Sequence, residues 1–175
     1  MSKAFPIIIV PYDPDWVRMY EEEEALLRSR LPSGVVMLIE HYGSTAVPGL
    51  AAKPVIDILV AVTSFEAAKE GCNSVLEELG YGYDWYAGHM AFFKGYFTDE
   101  PVKYHIHMAP GDHPLMDNLL FRDYLRAHQD AASRYERLKY DLAELHRDDR
   151  EAYTDAKGGF VAEIIALAKE ENPSR

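Results

Sequence analysis

Residues 41–60 read HYGSTAVPGLAAKPVIDILV, and the stretch changes character twice. Val35 to Tyr42 is an apolar, β-prone run that stops at Gly43-Ser44, the end of a strand. The segment 43–54 holds three breakers, Gly43, Pro48 and Gly49, and predicts a loop or short helix. Val55 to Val62 is then an almost unbroken apolar run, the pattern of a strand buried on both faces. A single aspartate, Asp57, interrupts it. An unpaired carboxylate in such a strand is costly, so Asp57 is expected to meet a metal, a histidine or a basic side chain. Gly43 allows close approach of the backbone to a ligand. The Ser44 hydroxyl and nearby amides, with Thr45 beside them, can donate to phosphate oxygens. Lys53 adds a mobile positive charge. Ser44 is not in a Gly-x-Ser-x-Gly elbow, which argues against a hydrolase nucleophile.

Outward from this stretch the chain alternates elements. Pro6 to Val10 reads as a short strand or extended arm. Asp13 or Asp15 can cap a helix running to about Arg30, with Trp16, Val17, Tyr20, Leu26 and Leu27 as core candidates and Glu21 to Glu24 as a solvated face. Ser64 caps a helix from about Phe65 to Leu79, which Gly80 ends. Three further strands are expected at Tyr81–Ala87, His89–Tyr96 and Val102–Ala109. The last contains Tyr104-His105-Ile106-His107-Met108. Alternate residues of a strand share a face, so His105 and His107 point the same way. Such a pair suits a divalent transition metal, and it also suits hydrogen bonding within a packed sheet. His89, His113, His128 and His146 lack that context and are expected at the surface or in loops. Beyond Pro110 the pattern is helical, over Leu115–Ala127, Gln129–His146 and Arg150–Glu171. The order predicts an α+β fold: a mixed sheet flanked by helices over about 35–110, then a helical part over about 112–172, in one domain spanning 1–175.

The 175 residues carry 18 basic and 29 acidic side chains, a net charge of −11. Duplex nucleic acid calls for the opposite balance. A local basic pocket for a small phosphorylated molecule remains open. No apolar run reaches the roughly 18 residues of a membrane span, and Met1 to Pro11 does not read as a signal peptide. One cysteine, Cys72, excludes an internal disulfide and a cysteine-based zinc site. A cytoplasmic location and a small-molecule partner, without membrane or duplex, follow as expectations.

The string at 41–60, followed by YHIHM, LLFRDYLRAH, SRYERLKYDLA and REAYTDAKGGFV, resembles the GrpB family of bacterial proteins over essentially the whole chain. That family is in turn similar to the nucleotidyltransferase superfold. The resemblance implies a metal-dependent transfer of a nucleotidyl group from an NTP to a small acceptor. Gly43 and Ser44 match its phosphate-side motif, and Asp57 matches its first carboxylate. By the same reading Thr45, Lys53 and Arg122 contact nucleotide or phosphate. The chain departs from the pattern at Leu59, where a second carboxylate is usual, and at His105 and His107, where an acid is usual. A site of Asp57, His105 and His107 would then favour Mn²⁺, Zn²⁺ or Ni²⁺ over Mg²⁺. His107 could also serve as a base toward an acceptor hydroxyl. Lys139 and Lys157, with Tyr135 and Tyr153, are further candidates in the helical part, against a plain reading as helix-surface charge. The alternative is a catalytically degenerate module of the same fold that binds a nucleotide or coenzyme. Fusion of some family members to dephospho-coenzyme A kinase domains points the same way.

Overall fold

The structure, a computed structural model, describes residues 6–94 and 103–172. Five strands form one mixed sheet: β1 (Val36–Tyr42), β2 (Ile56–Val62), β3 (Tyr81–Tyr86), β4 (His89–Lys94) and β5 (Tyr104–Pro110), in the order β1-β2-β5-β4-β3. Only β2 and β5 pair in parallel; the other three ladders are antiparallel. The expected strand ends at Tyr96 and Val102 lie outside the described residues.

Alternation along the strands separates two faces. On one, Ile39, Ile56, Ile58, Val60, Val62, Met90, Phe92, Ile106 and Met108 pack against helices α1 (Asp15–Arg30) and α2 (Phe65–Glu78). Ser64 caps α2 by accepting from the Ala67 amide at 3.1 Å, as its position in the sequence implies. The other face carries Asp57, His105 and His107 and meets the C-terminal helices α3 (Asn118–Ala127), α4 (Gln129–Leu145), α5 (Arg150–Ala156) and α6 (Gly158–Glu171). These helices hold a second core of Phe121, Leu125, Ala131, Ala132, Tyr135 and Ile164, closed by Val47 and Leu50 from the 43–55 loop.

Of the two forms expected for Pro6 to Val10, a strand and an arm, it takes the arm, outside the sheet, with one antiparallel bridge from Val10 to Ala52. Several local expectations are corrected. Val17 is exposed, because the buried stripe of α1 runs through Trp16, Glu23 and Leu27. Glu23 is not solvated: it holds Lys94 at 2.7 Å and accepts from the Tyr81 hydroxyl at 3.0 Å, joining α1 to the far edge of the sheet. The expected helix 150–171 is two helices. It breaks at Lys157, ahead of Gly158-Gly159, where helix propensity is weakest. Among the described residues no helix is long and apolar enough to cross a membrane.

Candidate functional site

The β2–β5 register sets Asp57 opposite His105 and Leu59 opposite His107. His105 Nδ1 lies 3.3 Å from Asp57 Oδ1. One ligand atom from each of Asp57, His105 and His107 lies within 4.8 Å of the others. The three residues line a cavity of about 830 Å³ between the sheet and the C-terminal helices. Burial alone would raise the Asp57 pKa, but the His105 hydrogen bond and the charges of His105, His107 and Lys53 outweigh it and hold the carboxyl below its usual value. Gly43 makes this corner possible. Its φ is +72°, and a Cβ there would sit 2.6 Å from Asp57 Oδ2.

Behind His107 stands His89, which the sequence reading placed at the surface but which is only 5% exposed. It lies just past the β3–β4 hairpin turn of Ala87 (φ +49°) and Gly88 (φ +83°), both left-handed as a two-residue turn requires. The His89 Nε2 shares a hydrogen bond with His107 Nδ1 at 2.7 Å. Either ring can be the donor, according to its tautomer. Burial, reinforced by His105 and His89 and opposed by Asp57, pulls the His107 pKa down to about 3. That imidazole is neutral at pH 7, the form that ligates a metal and a poor acceptor of a proton. His113 lies in the turn after β5, a loop residue as expected, where its Nδ1 accepts from the Leu115 amide and its ring packs on Phe65.

The phosphate-side residues divide. Ser44 lines the cavity and shares a side-chain hydrogen bond with Tyr135. The Thr45 hydroxyl is engaged within the fold, donating to the Val55 carbonyl at 3.2 Å and bonded to His41 Nε2 at 2.9 Å. Lys53 lines the cavity, with its Nζ 5.3 Å above the Tyr153 ring. Arg122 does not line it. Its guanidinium is 2.7 Å from Glu40, 2.8 Å from Asp123 and 2.7 Å from the His41 carbonyl, so it ties α3 to β1 instead of reaching an anion. Glu40 sits opposite Leu59 in the β1–β2 ladder, so the carboxylate nearest the expected second acid is already neutralised by Arg122.

The helical wall brings Lys139, Lys157, Tyr135 and Tyr153 to the same cavity, joined by Arg150 and Glu151, which the sequence reading did not single out. The Lys139 ammonium donates to the Ala51 carbonyl, and Glu136 accepts from the Ala51 amide at 2.7 Å, so α4 grips both sides of one loop residue. The Nζ of Lys157 stands 4.3 Å from the centre of the Tyr153 ring.

A mixed five-stranded sheet with an Asp-His-His cluster under a helical lid defines an α+β protein with a large cavity lined by charged, aromatic and aliphatic side chains. The profile of the GrpB protein family matches residues 6–167, and the chain belongs to that family. It is 36% identical over 167 residues to a UPF0157 protein of Halalkalibacterium halodurans, covering 93% of this chain and 82% of that one. It is also 36% identical to the glutamate-rich protein GrpB of Alkalihalophilus pseudofirmus, over 91% of this chain and 94% of the relative. A dephospho-CoA kinase of Mycolicibacterium paratuberculosis is 29% identical over 87% of this chain but only 43% of its own length. Among solved structures, the conserved protein GrpB from Enterococcus faecalis superposes with a TM-score of 0.82 at 33% identity, covering 94% of this chain and 98% of that one.

Proposed function

We propose that this protein is a metal-dependent nucleotidyltransferase-like enzyme, moving a nucleotidyl group from an NTP to a small acceptor. The observation that carries the reading is the convergence of Asp57, His105 and His107 on one wall of a cavity whose facing wall is cationic. One carboxylate and two imidazoles suit Mn²⁺, Zn²⁺ or Ni²⁺ better than Mg²⁺. When bound, such an ion supplies Lewis-acid stabilisation to phosphoryl oxygens. The chain's own residues do the rest. Asp57 stays ionised beside His105. His89 orients the His107 ring through the bond between them. Lys53 balances phosphate charge as the acceptor oxygen bonds to the α-phosphorus, its proton passes to solvent in the cavity and the bond to the departing pyrophosphate breaks.

A second reading, a binding module of the same fold, is favoured by Leu59, which is fully buried where a second acid is usual. The size of the cavity and the kinase-named relative suit a coenzyme-like occupant in that case. The deciding experiment is a thermal-shift panel of the four NTPs and coenzyme A, with Mn²⁺, Zn²⁺, Ni²⁺, Mg²⁺ or chelator, on wild type and Asp57→Asn. The enzyme reading expects a metal-dependent rise of roughly 5–10 °C for one NTP at saturation, lost in Asp57→Asn while the apo variant stays folded. A rise that ignores metal and survives Asp57→Asn would move the assignment to the binding module.

A further inference from the structure

We infer that Lys53, Lys139 and Lys157 form a preformed subsite for a diphosphate or longer phosphate chain, on the cavity wall facing Asp57. The three come from separate elements: the β1–β2 loop, α4 and the α5–α6 junction. All three line the same cavity, and two of them, Lys53 and Lys157, pack on the same aromatic ring, Tyr153. Lys139 is 2% exposed and has the Tyr135 ring 4.9 Å from its Nζ. Among the described residues, none of the three ammonium groups has a carboxylate within ion-pairing distance.

That arrangement is expensive for the fold alone. A chain with a net charge of −11 has carboxylates to spare, yet four cations and two carboxylates line this cavity. Packed cations repel one another in a low-dielectric space, and aromatic faces compensate only in part. The mutual strain shows in the lysines themselves. Burial and the neighbouring lysines lower Lys139 to about 7 against the pull of Glu136. Burial and Lys53 lower Lys157 to about 8 against Asp57. A polyanion between the three removes the repulsion and supplies acceptors to Lys53 and Lys157, while Lys139, held by the Ala51 carbonyl, adds its charge. A single phosphate meets fewer of them than a diphosphate does. The subsite deepens the nucleotidyl-transfer reading, since a phosphate chain is common to the NTP donor and the pyrophosphate product, but it needs neither metal nor turnover.

The test is titration calorimetry and thermal shift with inorganic pyrophosphate, tripolyphosphate and orthophosphate, on the full chain in chelator at low salt. Pyrophosphate is expected to bind more tightly than orthophosphate and to raise the melting temperature by roughly 5–10 °C at saturation. Because the lysines fill with protons on binding, calorimetry in two buffers should record proton uptake near neutral pH. Lys53→Gln and Lys157→Gln should each weaken pyrophosphate about 10- to 100-fold while leaving the apo protein as stable or more stable. Lys157→Arg should keep most of the binding. No pyrophosphate response in wild type, or an unchanged affinity in both glutamine variants, overturns the proposal. Apo variants that melt lower, with pyrophosphate affinity intact, also overturn it, since the lysines would then be structural. Pyrophosphate binding without any metal binding would keep this subsite and end the metal-dependent reading; metal binding at Asp57 without pyrophosphate binding would do the reverse.

Discussion

At His107 the placement of one proton decides what the side chain can do. His89 Nε2 and His107 Nδ1 share one hydrogen bond at 2.7 Å, and when His107 is its donor the Nε2 lone pair is left for a metal. Partners of this kind tune metal ligands and fix their orientation. His89→Leu leaves the His107 ring nitrogen without its partner in a buried setting, an expected loss of about 1–3 kcal/mol. It also removes the partner that can hold the proton on Nδ1, so Zn²⁺ affinity should fall roughly 10- to 100-fold. His89→Gln, whose carbonyl can accept the same hydrogen bond, should recover much of both. Urea denaturation reads the first effect and competition against a chelating dye reads the second. Wild-type zinc affinity in the leucine variant would dismiss the tautomer argument. Gly43 works at the same scale: it keeps space beside the Asp57 carboxylate that any Cβ would take.

Between elements, a buried polar tie joins α3 to β1 through Arg122, 8% exposed, which bonds Glu40 and the His41 carbonyl of β1 and Asp123 of its own helix. Arg122→Leu is expected to cost about 1–3 kcal/mol by denaturant unfolding, since it strands partly buried acceptors. Pyrophosphate affinity should not change, which separates a structural tie from an anion ligand. This residue shows where sequence reading stops. The apolar run at 55–62 and the Ser64 and Gly80 boundaries were legible because each is a local pattern with a local cause. Asp57 was legible because burial of a lone carboxylate demands a partner, and His105 and His107 because strand alternation puts them on one face. The ties of Arg122 were not legible because its partners Glu40 and His41 lie about 80 residues away. His89 was missed because only the β4–β5 ladder, with Ala91 opposite His107, carries it behind that ring. Lys139 and Lys157 were visible as candidates in helical sequence, but nothing local distinguishes a lysine facing solvent from one facing a cavity.

Over the whole molecule, the buried bases set an unusual dependence of stability on pH. A base whose pKa is lower in the folded state binds more protons when unfolded, so stability rises with pH between its folded and unfolded values. For His41, lowered by burial from 6.5 to about 4, that contribution is complete above about pH 6.5 and is lost as the pH falls toward 4. For Lys139 the window runs from about 7 to 10.5, and for Lys157 from about 8 to 10.5. Lys139 faces Lys157, Lys53 and Glu136, and Lys157 faces Lys53 and Asp57, so the repulsion outweighs the nearby acids. Tyr135 and Tyr153, both raised by burial, oppose the trend only where unfolded tyrosines ionise, near pH 10. The apo protein should therefore gain on the order of 2–4 kcal/mol from about pH 7 to about pH 9.5, seen as a melting temperature higher by roughly 5–15 °C. Net charge argues the other way, because a chain at −11 becomes more negative over that range and repels itself more. The sign of the slope thus reports on the lysines. In Lys157→Gln the rise should shrink, and saturating pyrophosphate should flatten it in wild type by keeping the ammonium groups charged. A wild-type melting temperature that falls from about pH 7 to about pH 9.5 would mean that self-repulsion dominates and that the lysine wall is not strained.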